Sequence, residues 1–194
     1  TSVAVVPYTL AIFTSAVLIV RLFKRLSPRW IGSAGFVLVA TGLTVLAFTI
    51  GNDWGTPLVI VGLVILGLGE GSLLTLLFNV MVSSSPKELA GDVGALRGTA
   101  NNLSTALGTA FSSVVAVSLL SMFVLSSLTG NTTLPASLQA QVPLDSINFV
   151  TNEQLQETLS ATTASPEQAA EAVRVNEEAR LPSLKAAFII LAAI

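Results

Sequence analysis

The chain is 194 residues long, 52% hydrophobic and only 10% charged, with a formal net charge of −2. A water-soluble domain carries about 25% charged residues, so much of this chain has lipid rather than water as its solvent. Cysteine and histidine are absent, which excludes disulfides, thiolate metal sites and imidazole acid–base chemistry.

An apolar run begins at Thr1 with no basic region before it, which argues against a signal peptide. At the other end Ala186–Ile194 is apolar and stops without a flank, so both ends read as truncated. Between them lie four long apolar stretches: 3–20, 31–50, 57–82 and 96–128. Crossing about 30 Å of hydrocarbon takes roughly 20 helical residues. Every backbone polar group in lipid needs an internal partner, so a span is a helix or a closed-barrel strand. Runs such as Val59-Ile60-Val61 and Leu76-Leu77 do not alternate as barrel strands do. The expected fold is an all-α, polytopic transmembrane helix bundle of four spans plus the start of a fifth at 183–194.

The connections set the orientation. Residues 21–30 hold Arg21, Lys24, Arg25 and Arg29 and no acid, and Trp30 anchors the interface. Residues 51–56 hold only Asp53, beside Trp54, and read as a solvated turn. Residues 83–97 hold Lys87 and Arg97 beside Glu88 and Asp92. Basic connections stay cytoplasmic, so 21–30 and 83–97 are expected inside and 51–56 outside. Residues 129–182 form a long extracytoplasmic loop with seven of the eleven acids and two arginines. Capping-box spacing at Thr151–Gln154 and Ser165–Gln168, the second with Pro166 at the first helical position, predicts short helices within it. Glu167–Arg180 is too polar to enter a bilayer.

Two spans carry chemistry. In the third, Glu70 is the one ionisable group near the middle of any span, and an intramembrane acid is by default a functional residue. A proton-coupled carrier needs a carboxyl that is neutral in one state and ionised in another. The competing reading is a glutamate bonded to a neighbouring helix for packing. Gly67, Gly69 and Gly71 around it allow close helix contact or a bend. Ser72, Thr75, Asn79 and Ser83 form a polar stripe about half a turn away. In a straight helix Glu70 and that stripe face different surroundings, so either Glu70 meets another helix or the glycines re-aim it.

In the fourth span Gly94, Gly98, Asn102, Thr105, Thr109, Ser112 and Ala116 share one helical face, opposite Leu103, Leu107, Phe111 and Val114. Gly94, Gly98 and Gly108 read as packing positions. Thr75, Asn79, Asn101, Asn102 and Thr105 read as candidates for lining a substrate path.

Several strings together resemble one family. Arg25-Leu26-Ser27-Pro28-Arg29 resembles the cytoplasmic loop motif of major facilitator transporters. Gly67-Leu68-Gly69-Glu70-Gly71, Asn79, Ser85–Gly91 and Asn101–Ala110 follow in an order similar to the late helices of the fourteen-helix drug:proton antiporter branch. The long outer loop before the last helix is similar too. The resemblance implies the C-terminal part of a secondary active transporter rather than an enzyme, with helices ten to thirteen of fourteen and alternating access. It implies multidrug efflux by drug/proton antiport at the plasma (inner) membrane, with no cofactor beyond the proton gradient. The implied partners are the N-terminal half of the same transporter, the bilayer, protons and a small amphipathic or cationic substrate. Arg25, Pro28 and Arg29 are the implied loop-motif residues, while the family's loop acid falls at Lys24 and its glycine at Ser27. The alternatives are a carrier of another small molecule and a membrane receptor or assembly subunit acting through the outer loop. Nothing points to nucleic acid, since the one basic cluster is short and lies at the membrane face.

Overall fold

A computed structural model describes residues 2–22, 25–51, 55–128, 149, 152–160 and 165–194. Every regular element among the described residues is a helix: α1 Ser2–Leu22, α2 Pro28–Thr49, α3 Pro57–Ser83, a 3-10 turn Lys87–Leu89, α4 Ala90–Leu128, α5 Asn152–Ser160 and α6 Pro166–Ala193. Among the described residues four stretches are long and apolar enough to cross a membrane: Val5–Leu22, Pro28–Thr49, Pro57–Ser83 and Gly91–Leu128. The all-helical, multi-span architecture expected from composition is therefore the one observed. Lys24, Asp53, Trp54, Thr151 and, of the expected outer loop, residues 129–148, 150 and 161–164 lie outside the described residues.

Local chemistry explains the helix ends. Proline occupies the first turn of α2 and α3, behind Ser27 and Thr56 in extended conformation. There its missing N–H costs nothing and its fixed φ suits the helix. Arg25 and Leu26 donate their N–H groups to the carbonyl of Leu22, which closes the end of α1. α4 opens at Ala90, earlier than the expected 96, because the 3-10 turn leads directly into it and Asp92 sits in its first turn. An acid there complements the helix dipole.

The chain divides into two compact units, Thr1–Ala110 with Phe188–Ile194, and Phe111–Ala187. In the first, α3 packs along both α1 and α2. Gly67 meets Tyr8, Gly71 meets Ile12 and Ser72 meets Ser15, so α1 and α3 run parallel. Gly35 faces Leu73, Gly42 faces Leu66 and Gly62 faces Leu46, so α2 runs antiparallel to α3. The α1–α2 and α3–α4 connections therefore share one end of this unit. Large side chains point away from these seams, with Phe13, Phe36 and Phe48 more than two-thirds exposed. Such a surface is a liability in water and an ordinary one in lipid. Thr14, Thr41 and Thr44 on the same helices turn their hydroxyls onto carbonyls one turn back, so each carries its own partner.

In the second unit Leu128 and Val175 are buried together with Val124 against them. The buried face of α6 runs Val175, Ala179, Ser183, Ala187, one residue per turn. Asn176 donates its amide to the side-chain oxygen of Asn152 at 3.1 Å, tying α6 to α5. Ser165 and Gln168 bond reciprocally at the start of α6, at 2.9 and 3.2 Å, as their spacing predicts. α6 runs without interruption from the expected outer loop into the expected start of the last span, through Pro182. Proline keeps a helical φ and frees one carbonyl, that of Glu178, which is exposed. Arg174 lies between Glu171 at 2.5 Å and Glu178 at 2.7 Å, and bonds to Glu171 and then Glu178 hold its proton more tightly than usual.

Candidate functional site

Glu70 is the fourteenth of the 27 residues of α3. At 1.5 Å per residue that places it about 20 Å from either helix end. The carboxylate is half-buried, and the Tyr8 hydroxyl of α1 donates a hydrogen bond to its Oε2. Of the two routes open in the sequence, Glu70 takes the first and meets another helix.

The glycines make that meeting possible. A Cβ at Gly67 would lie 2.7 Å from the Tyr8 carbonyl oxygen and 3.2 Å from its ring. A Cβ at Gly71 would lie 2.5 Å from the Ile12 carbonyl oxygen. On the other side of α3, a Cβ at Gly69 would lie 2.8 Å from the Val39 nitrogen and 2.9 Å from the Gly35 oxygen. Hence α1 and α2 approach to backbone contact on both flanks of Glu70. Small residues serve such seams in lipid, where dispersion and interhelical hydrogen bonds hold helices together.

A second polar contact lies further along the α1–α3 seam. The Ser15 and Ser72 hydroxyls lie 2.7 Å apart and 2.6 and 2.7 Å from the Leu68 carbonyl, which accepts from at least one of them, so their two hydrogens serve two of the three contacts at a time. Both serines are buried and both are satisfied. This cluster holds no titratable group, and Glu70 does not belong to it.

The path candidates are placed less uniformly. Asn79 turns its amide back to the Thr75 carbonyl at 2.9 Å, and both residues are half-buried. Asn101 lines a cavity of about 140 Å³ between α3 and α4, with Leu74, Leu77, Phe78, Met81, Arg97, Ala100 and Ser104. The Arg97 guanidinium sits 4.4 Å from the centre of the Phe78 ring. Asn102 and Thr105 are exposed on α4 and are not part of that lining. Gly94, Gly98 and Gly108 face open space, so the close contacts expected of them are not made by any described residue. Pro28 opens α2, and Arg25 and Arg29 are exposed and form no ion pair among the described residues.

The reading of the sequence missed four residues that shape this site: Tyr8, Ser15, Gly35 and Gly42. Two signals were present. Tyr8 is the chain's one tyrosine and sits inside an apolar run. Gly35 and Gly42 repeat at the seven-residue interval that also separates Gly62 from Gly69 on the facing helix.

No curated protein and no solved structure gives a significant match to the chain. A family model described as Major Facilitator Superfamily matches residues 1–146. That stretch is about three quarters of the sequence and holds α1 to α4, with Tyr8, Glu70 and the glycine seams. The chain belongs to the major facilitator superfamily, a family of multi-pass membrane transporters.

Proposed function

We propose that the chain is the C-terminal part of a proton-coupled carrier of the drug:proton antiporter branch. It exports small amphipathic or cationic molecules across the plasma (inner) membrane by alternating access. Its connections 21–30 and 83–97 face the cytoplasm. The observation that carries this reading is Glu70, an acid halfway along a span. A charge at that depth costs several kcal/mol, and a carboxyl can remove the cost by taking up a proton. A substrate cation and a proton can then compete for one group, which is the elementary requirement of antiport.

Packing alone does not need a carboxylate there. Glycines 67, 69 and 71 already bring the three helices into contact, and the Ser15–Ser72 cluster supplies an uncharged polar tie. The test is Glu70→Gln in the full transporter, reconstituted in vesicles with an imposed proton gradient. Gradient-driven substrate accumulation is lost in the variant while gradient-independent exchange continues. Full gradient-driven transport by the variant overturns the reading.

A further inference from the structure

We infer that Tyr8 is a positioning residue for the coupling carboxyl: its hydroxyl fixes Glu70 against α1 and sets the pH at which the carrier exchanges its proton. This rests on the reading of Glu70 as the coupling group. Three observations support it. The Tyr8 hydroxyl is the group that donates to Glu70 Oε2. The Tyr8 backbone and ring lie against Gly67, one turn before Glu70 on α3, where any Cβ would displace them. The next turn of α1 is fixed in the same way by Gly71 on Ile12. The phenol is thus held by backbone contact on α3 rather than swinging freely from α1.

Among the described residues of this unit no other ionisable group faces this carboxyl. α1 otherwise carries Arg21, thirteen residues from Tyr8, and α2 carries only Arg29 at its first turn. The final segment of the same unit, Phe188–Ile194, carries none. On α4 the charges are Asp92 and Arg97, and Arg97 stacks on Phe78, two turns along α3 from Glu70. A hydrogen bond to a carboxyl distinguishes its ionised from its neutral form. Among the described residues the carboxyl has one donor and no charged neighbour, so loss of that donor has nothing there to mask it.

The seam also supplies its own control. Ser15 and Ser72 bridge the same two helices without a titratable group, so removing one loosens the seam and leaves the carboxyl's partner in place. The experiment compares Tyr8→Phe, Ser15→Ala and Glu70→Gln in the full transporter, measuring substrate counterflow against pH. Phenylalanine keeps the ring against Gly67 and removes only the hydroxyl. Tyr8→Phe displaces the half-maximal pH by about one unit, the scale of one charge-assisted hydrogen bond. Ser15→Ala leaves the profile in place, and Tyr8→Phe has no further effect in the Glu70→Gln background. A Tyr8→Phe profile that superimposes on the parent overturns the inference, as does a displacement that persists without Glu70. Glu70→Gln with full proton coupling is a separate result and overturns the coupling reading itself.

Discussion

Replacing Gly71 by alanine adds one methyl group at the tightest point of the α1–α3 seam. The new Cβ would lie 2.5 Å from the Ile12 oxygen, 3.0 Å from its Cα and 3.1 Å from its carbonyl carbon. All three atoms belong to backbone, so no rotamer change relieves the contact. Restoring an ordinary contact of 3.4 Å requires α1 to move by about 0.9 Å along that direction. Forced overpacking costs about 1–3 kcal/mol, and a rigid neighbour places this site toward the upper half. Alanine also favours the helix over glycine by about 1 kcal/mol, which opposes the loss. The net expectation is a destabilisation of about 1–2 kcal/mol.

Gly108→Ala is the matched comparison, because its Cβ meets nothing within 4 Å. There the helix-propensity gain stands alone, and the chain gains up to about 1 kcal/mol. Unfolding of the two variants in mild detergent, followed by far-UV circular dichroism against denaturant, separates them by about 2–3 kcal/mol. Equal stability of the two refutes the reasoning, since it would mean that α1 does not rest on α3 at Gly71. Gly71→Ala also moves Ile12, one turn from Tyr8, so it perturbs the Tyr8–Glu70 bond as well as stability.

Gly42→Ala drives a Cβ into the Leu66 backbone at 2.7 Å, whereas Gly62→Ala meets only Leu46 and Val45 side-chain carbons at 3.0 Å and beyond. Gly42→Ala is therefore the more damaging by about 1 kcal/mol in the same unfolding assay. Ser72→Ala removes one member of the buried hydroxyl pair while Ser15 keeps the Leu68 carbonyl. It costs about 1 kcal/mol, and a double-mutant cycle with Ser15→Ala shows less than additive loss. Ser165→Ala removes the oxygen that accepts from the Gln168 N–H and costs the start of α6 about 1 kcal/mol. Amide hydrogen exchange rises in the first turn of α6 and stays unchanged in α1 to α3.

What the sequence revealed divides along a physical line. Spans, their number and the start of α3 at Pro57 depend on local composition, and local composition is printed in the residues; α2 starts at Pro28, three residues before the expected 31. Gly67, Gly69 and Gly71 were legible as sites of close contact or of a bend, because three glycines in five residues weaken a helix and leave its surface open. Which helix they touch was not legible, because a glycine carries no mark of its partner. Tyr8 was silent for the same reason: its one polar atom acts on a residue 62 positions away. The α4 glycines show the converse. Gly94, Gly98 and Gly108 have the spacing of a packing face, yet no described side chain meets them. Spacing states what a surface permits, and only an opposing surface turns that permission into a contact.

The same distinction orders the functional argument. Glu70 stood out because an acid at that depth is costly, and cost can be read from sequence alone. The polar stripe of Thr75 and Asn79 carried no comparable signal, since amides and hydroxyls in a helix can bond to their own backbone. Asn79 does so, to the carbonyl of Thr75. A carboxylate has no such outlet, being an acceptor only, and carbonyls offer it no donor. It must find an O–H or N–H on another element or take up a proton itself. Tyr8 supplies the first solution, and the second is the step that a coupled carrier uses. The single tyrosine of the chain and the acid at the centre of α3 are thus two halves of one requirement, brought together by the glycines that let α1 lie against α3.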